Sequence, residues 1–370
     1  MNNHERHYLF DCATAGVQGL QPYQPGKPIS ELEREYGVRD AVKLASNENP
    51  LGPSPRVKDA IQAHVADLAR YPDGNGFGLK RALADRHDVD LKQITLGNGS
   101  NDVLELIARA FLAPGRGAVF SEHAFAVYPI VTRAIGAIPQ VAPARDYGHD
   151  LEAMRAAIDD STRVVFIANP NNPTGTWLKG RDIEAFLDSV PRDVIVVLDE
   201  AYVEYVREPD YPDSIPWLDR YPNLVITRTF SKAYGLAGLR VGYALSSPVV
   251  ADLLNRVRQP FNVNSLALAA AEVALGDAEH IARAVALNAA GMQAWQAACN
   301  KLGLAFIPSV GNFLSVDVGR PAGEVYEALL REGVIVRPIG AYGLPDHLRI
   351  TLGTEAENSR AIAALEKVLG

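Results

Sequence analysis

The chain of 370 residues has few cysteines and no local concentration of basic charge. Cys12 and Cys299 are too few and too far apart for a disulfide framework or a thiolate metal site, and lone thiols are typical of a reducing compartment. The formal net charge of -8, without a Lys/Arg cluster, argues against a nucleic-acid-binding surface. The eight histidines show no metal-ligand spacing. We therefore expect neither a metal nor a nucleic-acid partner.

Long apolar runs and a secretory signal are also missing. The longest apolar runs, such as residues 194–198, are far too short to span a bilayer. The N-terminus has no basic region followed by an apolar core. Apolar residues at 48% and charged residues at 22% are ordinary for a protein with a sizeable core. We predict a cytoplasmic protein that does not contact membranes and has about two domains.

From about residue 94 onward, short apolar runs alternate with helical patterns. The runs lie at residues 94–96, 117–120, 163–168, 194–198 and 224–227. Because they are continuous, they are typical of strands covered on both faces, as in a mostly parallel sheet. Between them, apolar residues recur at helical spacing, as at Val103 and Ile107. This alternation predicts an α/β domain with a mostly parallel central sheet flanked by helices.

After about residue 265 the pattern changes to that of a smaller α+β domain. Ala-rich helical stretches at 266–276 and 279–302 precede apolar strands predicted at 313–317, 334–337 and 348–352. Thr354 with Glu357 three residues later is a capping-box pattern and predicts a final helix.

The predicted domains have these bounds: an N-terminal arm at 1–45 that packs with the small domain, a large domain at 46–264 and a small domain at 265–370. Within the first part of the chain, residues 17–55 are rich in Pro, Gly and Asn and are expected to be irregular.

Lys232 lies where a strand of the large domain is predicted to end. Ser231 and Lys232 follow the strand at 224–227, and Arg240 comes eight positions after the lysine. Most lysines are solvated surface charges, but ligands collect at the carboxyl ends of such strands. A lysine withdrawn from water has a lowered pKa and can form an imine with an aldehyde.

Asp199 directly follows the strongest apolar run. It is compatible with a strand cap or with a metal site shared with Glu200, although no His or Cys is near in sequence. The other interpretation is a buried carboxylate that favours protonation of a pyridine nitrogen. Tyr202 and Asn172, the latter in an Asn-Pro-Thr-Gly turn, are then candidates for hydrogen bonds to a phenolic oxygen of the same ring.

A phosphate site is predicted from a Gly-rich turn and a cation. Residues 97–101 (Gly-Asn-Gly-Ser-Asn), which include Gly99, follow a strand and open a helix, where the backbone and the helix dipole bind anions. Ser231 and Arg240 would add a hydroxyl and a bidentate guanidinium. Together with Lys232 and Asp199, these groups form the set needed to hold pyridoxal 5'-phosphate.

Three further residues are ambiguous from the sequence. Phe125 follows the strand at 117–120 and is equally compatible with a ring that stacks on the cofactor and with a core aromatic. Arg349 lies between apolar residues of a strand; it is either an exposed edge residue or a buried cation that needs an anionic ligand. Arg337 has the same ambiguity.

The chain resembles the aspartate-aminotransferase-like, fold-type-I pyridoxal-phosphate enzymes and, within them, the histidinol-phosphate aminotransferase family. The resemblance runs nearly end to end. It is carried by residues 23–27, 43–52, 70–73, 169–175, 199–202, 231–240 and 349–353. The runs Ser-Asn-Glu-Asn-Pro-Leu-Gly at 46–52 and Ser-Lys-Ala-Tyr-Gly-Leu-Ala-Gly-Leu-Arg at 231–240 are specific to this subgroup.

The resemblance implies a role for each matching residue. Lys232 forms the internal aldimine and shuttles the proton, Asp199 pairs with the pyridine nitrogen, and Asn172 and Tyr202 bind the ring oxygen. The implied phosphate ligands are Ser100, Asn101, Ser231 and Arg240, with Tyr71 reaching the phosphate of a neighbouring subunit, so that a homodimer is expected. The implied ligands of the anionic end of the substrate are Tyr23, Arg337 and Arg349. The stacking position, often tyrosine in relatives, is Phe125 here.

The resemblance also implies a ping-pong transamination between L-histidinol phosphate and 2-oxoglutarate. An aromatic-amino-acid aminotransferase of the same subgroup shares nearly all of these motifs and stays an alternative. A phosphate-specific decarboxylase on the same scaffold is a second alternative. A non-catalytic cofactor-binding regulator is a third, although residues 1–45 lack the length and basic charge of a DNA-binding module.

Overall fold

The computed structural model describes residues 8–370. Within this range the α-helices are α1 (Tyr8–Asp11), α2 (Ala15–Gln18), α3 (Ile29–Tyr36), α4 (Pro55–His64), α5 (Phe77–His87), α6 (Ser100–Phe111), α7 (Val127–Ala134), α8 (Leu151–Ala156), α9 (Gly180–Ser189), α10 (Pro248–Val257), α11 (Ser265–Leu275), α12 (Ala278–Leu302), α13 (Ala322–Arg331) and α14 (Glu355–Leu369). Short 3₁₀ helices lie at Val65–Asp67, Leu91–Gln93, Val203–Tyr205, Ile215–Asp219, Ala237–Leu239 and Gly340–Tyr342.

The strands in the same range are β1 (Val42–Lys43), β2 (Ile94–Gly97), β3 (Gly117–Ser121), β4 (Ile138–Ala142), β5 (Ala144–Arg145), β6 (Gly148–His149), β7 (Thr162–Ala168), β8 (Ile195–Asp199), β9 (Leu224–Thr229), β10 (Gly242–Ser246), β11 (Phe306–Ile307), β12 (Phe313–Asp317), β13 (Val334–Ile335), β14 (Arg337–Pro338) and β15 (His347–Thr351).

The larger sheet has seven strands in the order β2-β10-β9-β8-β7-β3-β4. Only β10 runs antiparallel to its neighbours; the other pairs are parallel. Alternate residues of β7 face opposite cores: Val165 and Ile167 belong to one apolar cluster, Val164 and Phe166 to another. Burial on both faces explains why this strand is apolar throughout, and the predicted mostly parallel α/β sheet is confirmed.

The smaller sheet is antiparallel, with the order β11-β12-β15-β14. Its core includes Trp295 of α12, whose indole N–H donates to Asn358 Oδ1 at 3.0 Å. The capping box of α14 is confirmed, since Thr354 Oγ1 accepts from Glu357 N at 3.3 Å and Thr354 N donates to Glu357 Oε2 at 2.7 Å.

Two expectations about this part of the fold were wrong. The strand predicted at 334–337 is divided between two sheets, because β13 pairs in parallel with β1 while β14 pairs with β15. The segment predicted to be irregular contains α3, which buries Leu32 and is capped at its C-terminus by Gly37 with a φ of 67°.

Among residues 8–370, no helix combines the length and apolar character needed to cross a membrane.

Candidate active site

A cavity lies where β7, β8 and β9 end, with β15 contributing to its wall. Most of the sequence-predicted site residues line it: Tyr23, Ser100, Asn101, Phe125, Asn172, Asp199, Tyr202, Ser231, Lys232, Arg240, Arg337 and Arg349. Parallel strands that end at one sheet edge bring together Asp199 and Ser231, which are far apart in sequence. Gly99 adjoins the cavity, and Tyr71 does not line it.

Lys232 presents its amine to this cavity. Nζ donates a hydrogen bond to the backbone carbonyl of Ser46 at 3.1 Å and lies 5.6 Å from the centre of the Tyr202 ring. Burial lowers the pKa of Lys232 to about 7, and the positive charge of Arg349 adds to this effect. Near neutral pH a substantial fraction of this amine is therefore uncharged and nucleophilic.

Asp199 is the buried carboxylate of the site. Its Oδ2 accepts from the Tyr128 hydroxyl at 2.8 Å and its Oδ1 from Thr227 Oγ1 at 3.0 Å. Burial raises the pKa of Asp199, while these two hydrogen bonds oppose that rise by favouring the charged form. A cationic ring nitrogen would favour the carboxylate further. The neighbouring Glu200 is paired with Arg228 at 2.7 Å, an arrangement that does not favour a metal site shared with Asp199.

Asn172 and Tyr202 lie on the same cavity. Asn172 Oδ1 accepts from Nη1 of Arg349 at 2.5 Å, which leaves its amide N–H groups free to donate. The Tyr202 hydroxyl oxygen accepts from Nδ2 of Asn47 at 2.9 Å. Burial raises the pKa of Tyr202 to about 12, so the phenol keeps its proton and can donate it in a hydrogen bond.

The turn before α6 and the side chain of Arg240 form an anion-binding corner. Gly99 has a φ of 88°, which favours glycine, and a Cβ at this position would lie 2.4 Å from Nη2 of Arg240 and displace that guanidinium. Nη1 of Arg240 lies 3.3 Å from Ser231 Oγ. Ser100 begins α6, whose N-terminal N–H groups and dipole favour negative charge at the same place.

Arg349 is a buried cation with unused hydrogen-bonding capacity. It is 5% exposed and lies on β15, an interior strand, so the exposed-edge alternative is wrong. Nη2 donates to the Ala45 carbonyl at 2.7 Å, while Nε has no hydrogen-bond partner among the described residues. Arg337 is half-buried on β14, and its guanidinium lies 5.4 Å from the centre of the Tyr23 ring. An anionic ligand would satisfy both arginines.

Phe125 and Tyr71 have different surroundings. Phe125 is half-buried on the cavity wall and contacts Tyr128 edge-on, with 5.9 Å between ring centroids. Tyr71 is 82% exposed and stacks on Phe261 at 4.7 Å. In a single chain Tyr71 is therefore a surface residue, and its predicted role needs a second subunit.

Several residues that contact the predicted set were not predicted as site residues. Tyr128 and Thr227 hold the Asp199 carboxylate, and Ser46 and Asn47 contact Lys232 and Tyr202. Thr227 had a detectable signal, because it ends the predicted strand beside the one that carries Asp199. Ser46 and Asn47 lie in the run 46–52 that carries the resemblance, which marked the segment without assigning them a role. Tyr128 contacts Asp199 across 71 residues, a separation for which one sequence contains no spacing signal.

The residues present fit the predicted cofactor. The anion corner at Gly99 and Arg240 suits a phosphate, the buried Asp199 suits a protonated ring nitrogen, and the amine of Lys232 suits an aldehyde. All three kinds of group adjoin one cavity.

Comparison with known proteins defines the class of this chain. The chain belongs to the aminotransferase class I and II family, whose pattern matches residues 39–365. Its architecture is that of the fold-type-I aminotransferases.

The relatives include histidinol-phosphate aminotransferase 2 of Pseudomonas fluorescens, which is 64% identical over 96% of this chain and 97% of its own length. Histidinol-phosphate aminotransferase 1 of Nitrosococcus oceani is 59% identical over 98% of both chains. Among solved structures, histidinol-phosphate aminotransferase from Sinorhizobium meliloti, in complex with pyridoxal-5'-phosphate, superposes with a TM-score of 0.89 at 32% identity. That match covers 96% of this chain and 97% of the other.

The lowered pKa of Lys232 predicts a pH-dependent stability of the cofactor-free protein. Between its folded value of about 7 and its ordinary value of 10.5, the unfolded chain binds a proton that the folded chain does not, so stability rises with pH in this window. Lys232→Met removes the free-energy cost of releasing this proton on folding. The variant should be more stable than wild type at pH 7, by on the order of a few kcal/mol, and the difference should shrink toward pH 10.

Urea unfolding of both proteins at neutral and alkaline pH measures this difference. Lys301→Met, at an exposed lysine paired with Glu366, serves as the control and should show no comparable trend. A stability difference between wild type and Lys232→Met that stays constant across the window would contradict the interpretation.

Proposed function

We propose that this chain catalyses the pyridoxal-phosphate-dependent transfer of an amino group from L-histidinol phosphate to 2-oxoglutarate, a step of histidine biosynthesis. The products are imidazole-acetol phosphate and L-glutamate. The observation that carries the proposal is 64% identity to a histidinol-phosphate aminotransferase over nearly the whole of both chains. When bound, the cofactor supplies an aldehyde carbon that receives the amino group and a ring that withdraws electrons from the reacting carbon.

The cavity and its surroundings support a set of cofactor ligands. Asp199 would pair with the ring nitrogen and keep it protonated, Asn172 and Tyr202 would donate to the ring oxygen, and Phe125 would cover the ring. The phosphate would be held by Gly99, Ser100, Asn101, Ser231 and Arg240 of this subunit and by Tyr71 of a second one. Tyr128 and Thr227 hold the Asp199 carboxylate in place, as their hydrogen bonds of 2.8 and 3.0 Å indicate.

Lys232 acts as the base and acid of the reaction. With cofactor and substrate bound, Nζ would take a proton from the substrate carbon that carries the amino group. It would then deliver this proton to the aldehyde carbon of the cofactor, within hydrogen-bond reach. Its pKa of about 7 matches this exchange, because a base of that strength both accepts and releases a proton near neutral pH.

Arg349 binds the anionic end of each substrate in turn. A phosphate occupies it in the first half-reaction and a carboxylate in the second, since the two substrates react in ping-pong order. A planar guanidinium forms bidentate hydrogen bonds with either group. The unpartnered Nε and the neighbouring Arg337 and Tyr23 support this assignment.

Two broader assignments are also proposed. The chain divides into an arm at 1–45, a large domain at 46–264 and a small domain at 265–370. The confinement of the seven-stranded sheet to 94–246 and of the four-stranded sheet to 306–351 supports this division. A cytoplasmic location fits the proposed biosynthetic role and stays a prediction.

The role of Lys232 predicts that Lys232→Ala lowers kcat by about 10³-fold or more, because the proton transfer loses its base. Borohydride reduction of the loaded wild-type protein should leave the cofactor on the peptide that contains Lys232, and the variant should not be labelled there. Lys301→Ala, at an exposed lysine, is the matched control and should keep wild-type activity. Multiple turnovers by Lys232→Ala would refute the assignment.

Substrate identity is tested by comparing kcat/KM for histidinol phosphate and for phenylalanine. We expect the ratio to favour histidinol phosphate by about 10²-fold or more, since its phosphate can pair with both Arg349 and Arg337, whereas phenylalanine offers a single carboxylate. A ratio that favours phenylalanine would support the aromatic aminotransferase instead. Release of carbon dioxide would reveal the decarboxylase. A visible absorption band that does not change on addition of glutamate would indicate the non-catalytic regulator.

The homodimer is supported by apolar side chains exposed around Tyr71, among them Phe77 and Phe261, which are 62% and 45% exposed. Sedimentation should give the mass of two chains. Tyr71→Phe should weaken cofactor binding about 10-fold, by the loss of one hydrogen bond to the phosphate, without dissociating the dimer. A monomer with full activity would overturn both the assembly and the role of Tyr71.

A further inference from the structure

Asn47 lies between the Tyr202 hydroxyl and the sheet that carries Arg349. It is 1% exposed and adopts a φ of 55°, a left-handed conformation that asparagine tolerates better than most residues. Its side chain contacts Tyr202 on one side and Thr351 on the other. A buried polar side chain in an unusual backbone conformation, one hydrogen bond from a proposed cofactor ligand, requires a physical explanation.

The hydrogen bonds around Asn47 fix the orientation of its amide. The backbone N–H of Asn47 donates to Thr351 Oγ1 at 2.9 Å, so the single hydroxyl proton of Thr351 is free to donate to Asn47 Oδ1 at 3.1 Å. The amide oxygen therefore faces Thr351, and Nδ2 faces the Tyr202 hydroxyl at 2.9 Å. Asn312 Nδ2 holds the backbone carbonyl of Asn47 at 3.0 Å.

This orientation determines where the Tyr202 proton points. An amide Nδ2 is only a donor, so it occupies a lone pair of the Tyr202 oxygen and cannot accept the phenolic proton. The proton must be directed elsewhere, and Tyr202 lines the cavity.

We propose that Asn47 is a positioning residue that directs the hydroxyl proton of Tyr202 toward the ring oxygen of the bound cofactor. The inference rests on the proposed function, because it presupposes that the cofactor occupies this cavity. Asn47 touches neither the cofactor nor the substrate in this assignment; it acts through Tyr202, with Thr351 holding its amide.

A consequence for proton affinity follows. A hydrogen bond from Tyr202 withdraws negative charge from the ring oxygen. The Lys232 nitrogen, when bonded to the cofactor, carries a proton that the negative charge on this oxygen attracts. Because the hydrogen bond from Tyr202 lowers that charge, the nitrogen holds its proton less strongly. Loss of the hydrogen bond should therefore raise the pH at which the visible absorption of the bound cofactor changes.

The experiment is an absorbance titration of the cofactor-loaded full chain. Asn47→Gly permits the left-handed backbone and removes the amide, and Asn47→Asp keeps the shape but presents a carboxylate that accepts the Tyr202 proton. Both variants should raise the midpoint pH by about 0.5 to 1 unit, and Asp at least as much as Gly. Thr351→Val should raise it in the same direction, while Thr351→Ser, which keeps the hydroxyl, should match wild type.

A double-mutant comparison separates positioning from a general structural effect. Tyr202→Phe alone should raise the midpoint, and adding Asn47→Gly to it should cause no further change, because the two residues act through one hydrogen bond. An unchanged midpoint in Asn47→Gly and Thr351→Val, or an Asn47→Gly effect that is as large without the Tyr202 hydroxyl as with it, would overturn the inference. A wild-type protein that develops no visible band with pyridoxal phosphate would instead overturn the proposed function, and this inference with it.

Discussion

An excess of positive charge around one cavity governs the chemistry of this molecule. Lys232, Arg240, Arg337 and Arg349 face one cavity, and Asp199 is the carboxylate among the residues that line it. Burial makes the charges of Lys232 and Arg349 costly, and the positive charge of Arg349 adds to the burial that lowers the pKa of Lys232. The positive charge that helps burial to lower the pKa of Lys232 also attracts anions. One electrostatic arrangement therefore prepares both a nucleophilic amine and a site for phosphate and carboxylate groups.

Residues 45–47 contact cavity-lining side chains that belong to both sheets or directly follow their strands. These three consecutive residues contact Arg349, Lys232 and Tyr202: the Ala45 carbonyl accepts from Arg349 Nη2, the Ser46 carbonyl from Lys232 Nζ, and Asn47 donates to Tyr202. Backbone carbonyls are suited to this purpose because they hold cations without adding a negative charge. The segment therefore positions the cationic groups and preserves the excess of positive charge on which anion binding depends.

The sequence predicted what depends on local pattern and missed what depends on distant contacts. The apolar runs that became β7 and β8 were recognisable because both faces of these strands are buried, and Lys232 and Asp199 were found because they follow such strands. Helix α3 was missed because one residue, Leu32, is buried in a segment otherwise rich in charge, Pro and Gly. The partner of Asp199, Tyr128, lies 71 residues away, and the partner of Asn47, Thr351, lies 304 residues away. The topology of the chain brings such pairs together, and the sequence separation between the two partners follows no pattern that a single sequence reveals.

The pair Asp199 and Glu200 shows how strand geometry assigns different tasks to adjacent carboxylates. Asp199 ends β8 and Glu200 directly follows it. Successive side chains of an extended chain point to opposite faces, so the two residues have different surroundings although both are buried. Glu200 is bound by Arg228, which follows Thr227 on the neighbouring strand and points away from the cavity in the same way. Asp199 receives two neutral hydroxyl donors instead, from Tyr128 and Thr227. A full counter-ion would satisfy its charge within the protein, whereas neutral donors hold the carboxylate in place and leave its charge available to a cationic ligand.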